Sequence, residues 1–128
     1  MSLQPAFYNH EIVQQSPDDY VEMILTPVAI LDAWSLSMFA HELLNKDGSI
    51  KGENSMNEDT LSKYLDALES LKRGEDVAKP VIGIGIMDGI EIGIGREVIA
   101  ACATLNINEI PFHVRKAQVD DVKKVLGD

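Results

Sequence analysis

Aromatic side chains, cysteine and positive charge are all scarce in this sequence. Three Phe, three Tyr and one Trp stand among 128 residues, so any core is built mainly from aliphatic side chains. The hydrophobic share is 45%. That suffices for one real core and is too high for a chain that stays disordered. The lone cysteine, Cys102, excludes an intrachain disulfide and a cysteine-based zinc site. It fits a reducing, cytoplasmic setting. The most apolar stretch, residues 21–44, is broken by Glu22, Pro27, Asp32, His41 and Glu42, so it is not expected to span a bilayer. No basic region followed by an apolar run marks a signal peptide. The sequence therefore predicts no membrane partner.

Eleven basic residues face 21 acidic ones, for a formal charge of −10. Residues 1–79 hold 14 acids and 6 bases, net −8, and residues 80–128 hold 7 acids and 5 bases, net −2. A negative surface repels phosphate backbones, which disfavours general nucleic-acid binding and leaves room for a basic partner.

Residues 1–18 show no period, and Pro5, Asn9, Gln14, Gln15 and Pro17 predict an extended or loosely packed arm. The remainder, 19–128, reads as a single domain. Val21, Met23 and Leu25 alternate with Tyr20, Glu22 and Ile24 in a short strand. Thr26-Pro27 is a helix start, and Ile30, Leu31, Trp34, Met38, Leu43 and Leu44 predict a helix over about 27–44. A polar loop follows over 45–56. Its Asn45, Asp47, Ser49 and Lys51 fall at alternate positions, but the glycine comes too early for a calcium loop and Lys51 would put a cation in the cage. Asn57 caps a helix over about 58–73, with Leu61, Tyr64, Leu65, Leu68 and Leu71 as its apolar stripe and Gly74 as its stop.

From Pro80 the chain alternates isoleucine with glycine. Ile82, Ile84 and Ile86 lead through Asp88-Gly89 to Ile90, Ile92 and Ile94, which predicts a hairpin with one isoleucine face. The other face, with Gly83, Gly85 and Gly93, is nearly bare. Glycine is a poor strand residue, so such a face implies close packing of another element or close approach of a ligand. A helix over about 96–106 follows, with Val98, Ile99, Cys102 and Leu105 inward. Then come a strand over 109–115, with His113 and Arg115 as partly exposed polar neighbours, and a closing helix over 118–126. The fold class is α/β (α+β), a small mixed sheet with packed helices.

The turn Gly93-Ile94-Gly95-Arg96-Glu97 is the candidate ligand site. A helix N-terminus offers unpaired N–H groups, glycines permit close approach, and Arg96 can fork onto phosphate or carboxylate. The third glycine of a dinucleotide fingerprint is replaced by Val98, and no P-loop Gly-Lys-Ser/Thr is present. An anion site and a purely structural turn both remain open on this pattern. No Ser/His/Asp set and no convincing pair of carboxylates can be assembled from spacing, and His10, His41 and His113 lack metal-ligand spacing.

The order of motifs over 57–114 resembles the ParB N-terminal/sulfiredoxin-like superfamily. The residues that carry it are the helix ending at Gly74, Lys79-Pro80-Val81-Ile82, the hairpin, the Gly95-led turn, Ala100-Ala101 and Ile110-Pro111-Phe112-His113-Val114. The resemblance implies a ParB-like fold, with nucleotide phosphates placed at Ile94-Gly95-Arg96-Glu97. The sequence departs from the family at that place. The expected Asp is Ile94, the expected basic pair is Arg96-Glu97, and the sulfiredoxin cysteine has no counterpart. The expectation is a binding or regulatory module with a nucleotide or other anion as candidate ligand at Gly93, Gly95, Arg96 and Glu97. The alternatives are an enzyme of the same superfamily, a nuclease or a nucleotide-dependent phosphoryl-transfer enzyme, and an interaction domain whose protein partner or second copy packs on the glycine face.

Overall fold

The computed structural model describes residues 6–86 and 88–127. In chain order its elements are β1 (Phe7–Tyr8), α1 (Glu11–Gln15), β2 (Tyr20–Leu25), α2 (Pro27–Trp34), α3 (Glu58–Arg73), β3 (Val77–Ala78), β4 (Val81–Ile84), β5 (Ile90–Ile94), α4 (Arg96–Thr104), β6 (Ile110–Arg115) and α5 (Val119–Leu126). The main sheet has four strands in the order β2-β6-β4-β5. Its outer pairs are antiparallel, and β4 and β6 lie parallel at its centre. Two neighbouring parallel strands need a crossover, which the hairpin strand β5 and helix α4 supply.

The isoleucine and valine alternation builds the core. Ile110, Phe112 and Val114 of β6 are 1%, 0% and 0% exposed. Each such side chain contributes about 1.5–3 kcal/mol by leaving water. Ile82, Ile90 and Ile92 extend the same layer. Helix α4 lies against it and is enclosed at Ile99, Ala100, Ala101 and Cys102. The small alanines let α3 come close, and the Tyr64 hydroxyl meets Thr104 Oγ1 at 2.7 Å across that contact.

Helix α3 keeps the predicted ends. The Asn57 carboxamide accepts from the Thr60 N–H at 2.8 Å, and the chain turns off at Gly74 with the Glu75 N–H on the Ser70 carbonyl. Its buried line is Thr60, Tyr64, Ala67 and Leu71, while Leu65 is 37% exposed. The helix is therefore rolled from the leucine stripe toward its smaller residues, which face the tight contact with α4.

Three expectations change. The helix expected over 27–44 stops at Trp34. The Ser35 hydroxyl bonds back to the Asp32 carbonyl at 2.6 Å, and the Ser37 N–H closes a turn on the Trp34 carbonyl at 2.8 Å. Local serine bonds compete with helical ones. A 3-10 turn at Ala40–Glu42 then delivers Leu43 and Leu44 into the core from another direction. The arm is not loose from residue 6 onward. Strand β1 pairs in parallel with β3, Val13 is 2% exposed, and the Lys79 ammonium donates to Asn9 Oδ1 at 2.8 Å. Pro5 lies outside the described residues. His113, expected at a partly exposed position, is 6% exposed, because Tyr20 stands edge-on to it across the β2–β6 pair.

Several boundaries shift by a residue or two. Helix α4 ends at Thr104, β6 starts at Ile110, and a 3-10 turn at Lys116–Gln118 precedes α5. No helix among the described residues is long and apolar enough to cross a membrane.

Candidate functional site

The four residues expected to bind a ligand lie at the root of the β4–β5 hairpin. Gly93 is the extra residue of a bulge, where the register slips between Val81 and Ile82. Gly95 caps α4 with φ +88°, and a Cβ there would meet Pro80 Cβ at 3.1 Å and Cα at 3.2 Å. Both the backbone angle and the contact with Pro80 require glycine at this position.

Arg96 does not face an open anion hole. Its Nη1 donates to Glu42 Oε2 at 2.5 Å, and its Nε stands 4.0 Å from Glu97 Oε2. Its guanidinium also lies 5.9 Å from the centre of the Trp34 ring. The chain thus supplies its own carboxylates to the positive end of α4. Glu42 arrives there because the helix breaks at Trp34, so its role could not be read from spacing.

At Gly83 and Gly85 the bare glycine face is covered by side chains of the same chain, while Gly93 is exposed. A Cβ on Gly83 would stand 2.5 Å from Gln118 Oε1, which accepts from the Ile84 N–H at 3.3 Å. A Cβ on Gly85 would come 2.4 Å from Glu91 Cγ. Glu91 therefore lies flat across Gly85. Its two carboxylate oxygens each stand 2.8 Å from Ser37 Oγ, which in turn accepts from the Phe39 N–H at 3.1 Å. This chain of bonds fixes the 35–39 turn beside the hairpin.

Between that turn and the hairpin tip runs a groove of about 810 Å³. Leu36, Met38, Phe39 and Ile86 form its rim, at 90%, 77%, 52% and 99% exposed. Ala33 and Ile92 line it further in, and its polar groups come from Ser37, Glu91 and Arg96. The sequence reading missed this groove. It treated Met38 as part of a buried helix face and Ile86 as part of the isoleucine wall, whereas both project outward. The available signal was the pair of serines flanking Leu36, which favours a turn over a helix.

The remaining titratable groups lie elsewhere. On β6, burial lowers the His113 pKa; nearby positive Lys79 adds to this and Glu22 opposes it. Nδ1 of His113 is buried without a partner among the described residues. The guanidinium of Arg115 lies 5.7 Å from the Tyr20 ring centre. Cys102 is sealed in α4, and burial pushes its thiol up to about 12, which leaves it an inert core side chain. In the polar loop the Ser49 hydroxyl and then the Ser49 N–H bond to Asp47 and hold its carboxyl below the usual value. No group of three or more His, Cys, Asp or Glu that could hold a metal occurs among the described residues.

Comparison with protein-family models, curated proteins and solved structures found no match.

Proposed function

We propose that this domain is a binding module whose contact surface is the groove between the 35–39 turn and the tip of the β4–β5 hairpin. The observation that carries the reading is the cluster of exposed Leu36, Met38, Phe39 and Ile86 around one concave surface. Four large apolar side chains held in water at one place cost free energy, and such patches mark interaction sites. The groove wall is held in place by Ser37 and Glu91 rather than left to a free loop.

A ParB/sulfiredoxin-like fold agrees with this reading. The order α3, Pro80-Val81-Ile82, hairpin, Gly95 turn, α4 and β6 is the order on which the resemblance rests. A nucleotide or other anion at Gly95-Arg96 is the second reading, favoured by the arginine at the start of α4. It requires the anion to displace Glu42 from Arg96 and to tolerate Glu97 beside it. An enzyme of that superfamily acting on a phosphoryl group would need the same displacement. The lone buried thiol suits a reducing, cytoplasmic setting.

Backbone NMR mapping separates these readings. Apolar fragments are expected to shift the amides of Leu36, Phe39, Ile86 and Glu91, while CTP and ATP with Mg²⁺ leave those of Arg96 and Glu97 in place. Nucleotide shifts centred on Arg96 that vanish in Arg96→Ala, with the groove silent, would replace the groove reading by the nucleotide one.

A further inference from the structure

The charge in the groove narrows the class of partner. Glu91 is half-buried in a mainly apolar wall. Its two oxygens share the single proton of the Ser37 hydroxyl, and no ion pair to Glu91 occurs among the described residues. An ionised carboxylate has about four acceptor positions, so most of its capacity is unused. Arg96 lines the same groove but is already held by Glu42 and Glu97. The local sum of Glu42, Glu91, Glu97 and Arg96 is negative, as is the whole chain at −10.

We infer that the groove takes a basic, amphipathic segment of another protein, with a Lys or Arg reaching Glu91 and apolar neighbours covering Leu36, Met38, Phe39 and Ile86. This rests on the groove reading above and adds the chemistry of its occupant. Leu36 and Ile86 stand on the rim at 90% and 99% exposed, so most of their surface faces away from the cavity. A small molecule seated in the groove leaves them in water, whereas a polypeptide segment can extend over them. A second copy of this chain brings the same negative excess and so meets like charge. A basic segment gains from the long-range field during approach and from the half-buried carboxylate once docked.

The test uses a fluorescent amphipathic Leu/Lys peptide of about fifteen residues, long enough to form a helix on contact. A matched peptide carries norleucine in place of lysine. Affinities are measured by anisotropy at about 0.15 M salt, where distant charge is screened. Glu91→Gln keeps an acceptor for Ser37 and removes the charge. Glu58→Gln, at an exposed position in the first turn of α3, removes one charge from outside the groove.

The wild type is expected to bind the lysine peptide, and Glu91→Gln to weaken it about tenfold against less than about twofold for Glu58→Gln. Phe39→Asp is expected to abolish binding. Equal losses in Glu91→Gln and Glu58→Gln, or equal affinity of wild type for the two peptides, would overturn the assignment of a basic partner. The groove reading would survive that result as long as Phe39→Asp still abolished binding. Binding indifferent to Phe39→Asp would overturn both. A dimer in sedimentation that Phe39→Asp dissociates would overturn the inference in favour of a second copy.

Discussion

The two ends of the β4–β5 hairpin carry charge in opposite ways. At the root, Arg96 is met by Glu42, by Glu97 and by the Trp34 ring, and Gly95 is filled in by Pro80. At the tip, Glu91 is met by one hydroxyl, and the surrounding apolar side chains face water. A glycine-led helix start with an arginine looks in sequence like an invitation to an anion. Its own chain has already occupied it. The tip, which reads in sequence as a plain hairpin end, is where a carboxylate keeps acceptor positions unused and apolar side chains stay exposed. Whether a charged residue is available to a ligand depends on what the rest of the chain brings to it.

Substitutions at each end can break this contrast. The largest effect is expected at the root from Gly95→Ala, which forces a side chain into φ +88° and against Pro80. The left-handed conformation alone costs about 1–2 kcal/mol, and crowding adds to it. Urea unfolding should show the loss, and unchanged stability would mean that the turn can adopt another conformation. At the tip, Gly85→Ala should cost about 1 kcal/mol by driving Glu91 off the strand and breaking its bond to Ser37. Shifted amide resonances at Ser37 and Phe39 would confirm that the groove wall moves, and unchanged ones would show that Glu91 does not hold it.

Arg96→Met should cost up to about 1 kcal/mol, since the pair with Glu42 is partly exposed and partly screened. Salt should reduce that difference; a loss independent of salt would assign the role of Arg96 to packing on Trp34. A smaller, pH-dependent change is expected at His113, away from the hairpin. Its pKa is lower folded than unfolded, so the unfolded chain takes up protons first as pH falls. Stability is therefore full above the unfolded value of about 6.5 and declines as pH drops toward the folded pKa. His113→Gln should flatten that decline, and an unchanged profile would place the acid sensitivity elsewhere. Ile86→Ser should change stability least, within about 0.5 kcal/mol, because the side chain is 99% exposed. A loss of peptide binding at unchanged melting temperature would then mark Ile86 as a contact residue.

The sequence was most legible where local chemistry and tertiary packing agree. Asn57 and Gly74 bound α3 because a cap and a stop act within a few residues. The hairpin follows from alternation that the core then uses, with Ile82, Ile90 and Ile92 buried. Legibility failed where a distant partner decides. The break after Trp34 sets Ser37 on Glu91, a residue 54 positions away. The burial of His113 depends on Tyr20 across the sheet, and the ordering of residues 7–8 depends on β3. The turn at Gly95-Arg96 was recognised as a local structure. Its occupation by Glu42 could not be seen, because Glu42 falls within the continuous helix that the pattern predicts over about 27–44, and only the break at Trp34 carries it to Arg96.

The pairing of β1 with β3, and of β2 with β6, has a consequence for the newborn chain. Phe7 waits about 70 residues for Val77, and Val21 waits about 93 for Val114. At roughly 5–20 residues per second of synthesis, each wait lasts several seconds, far longer than a helix needs to form. Helix α3 can thus take shape as it emerges. The central sheet cannot close until β6 has left the ribosome, so the apolar residues of β2 stay without their β6 partners while about 93 further residues are made.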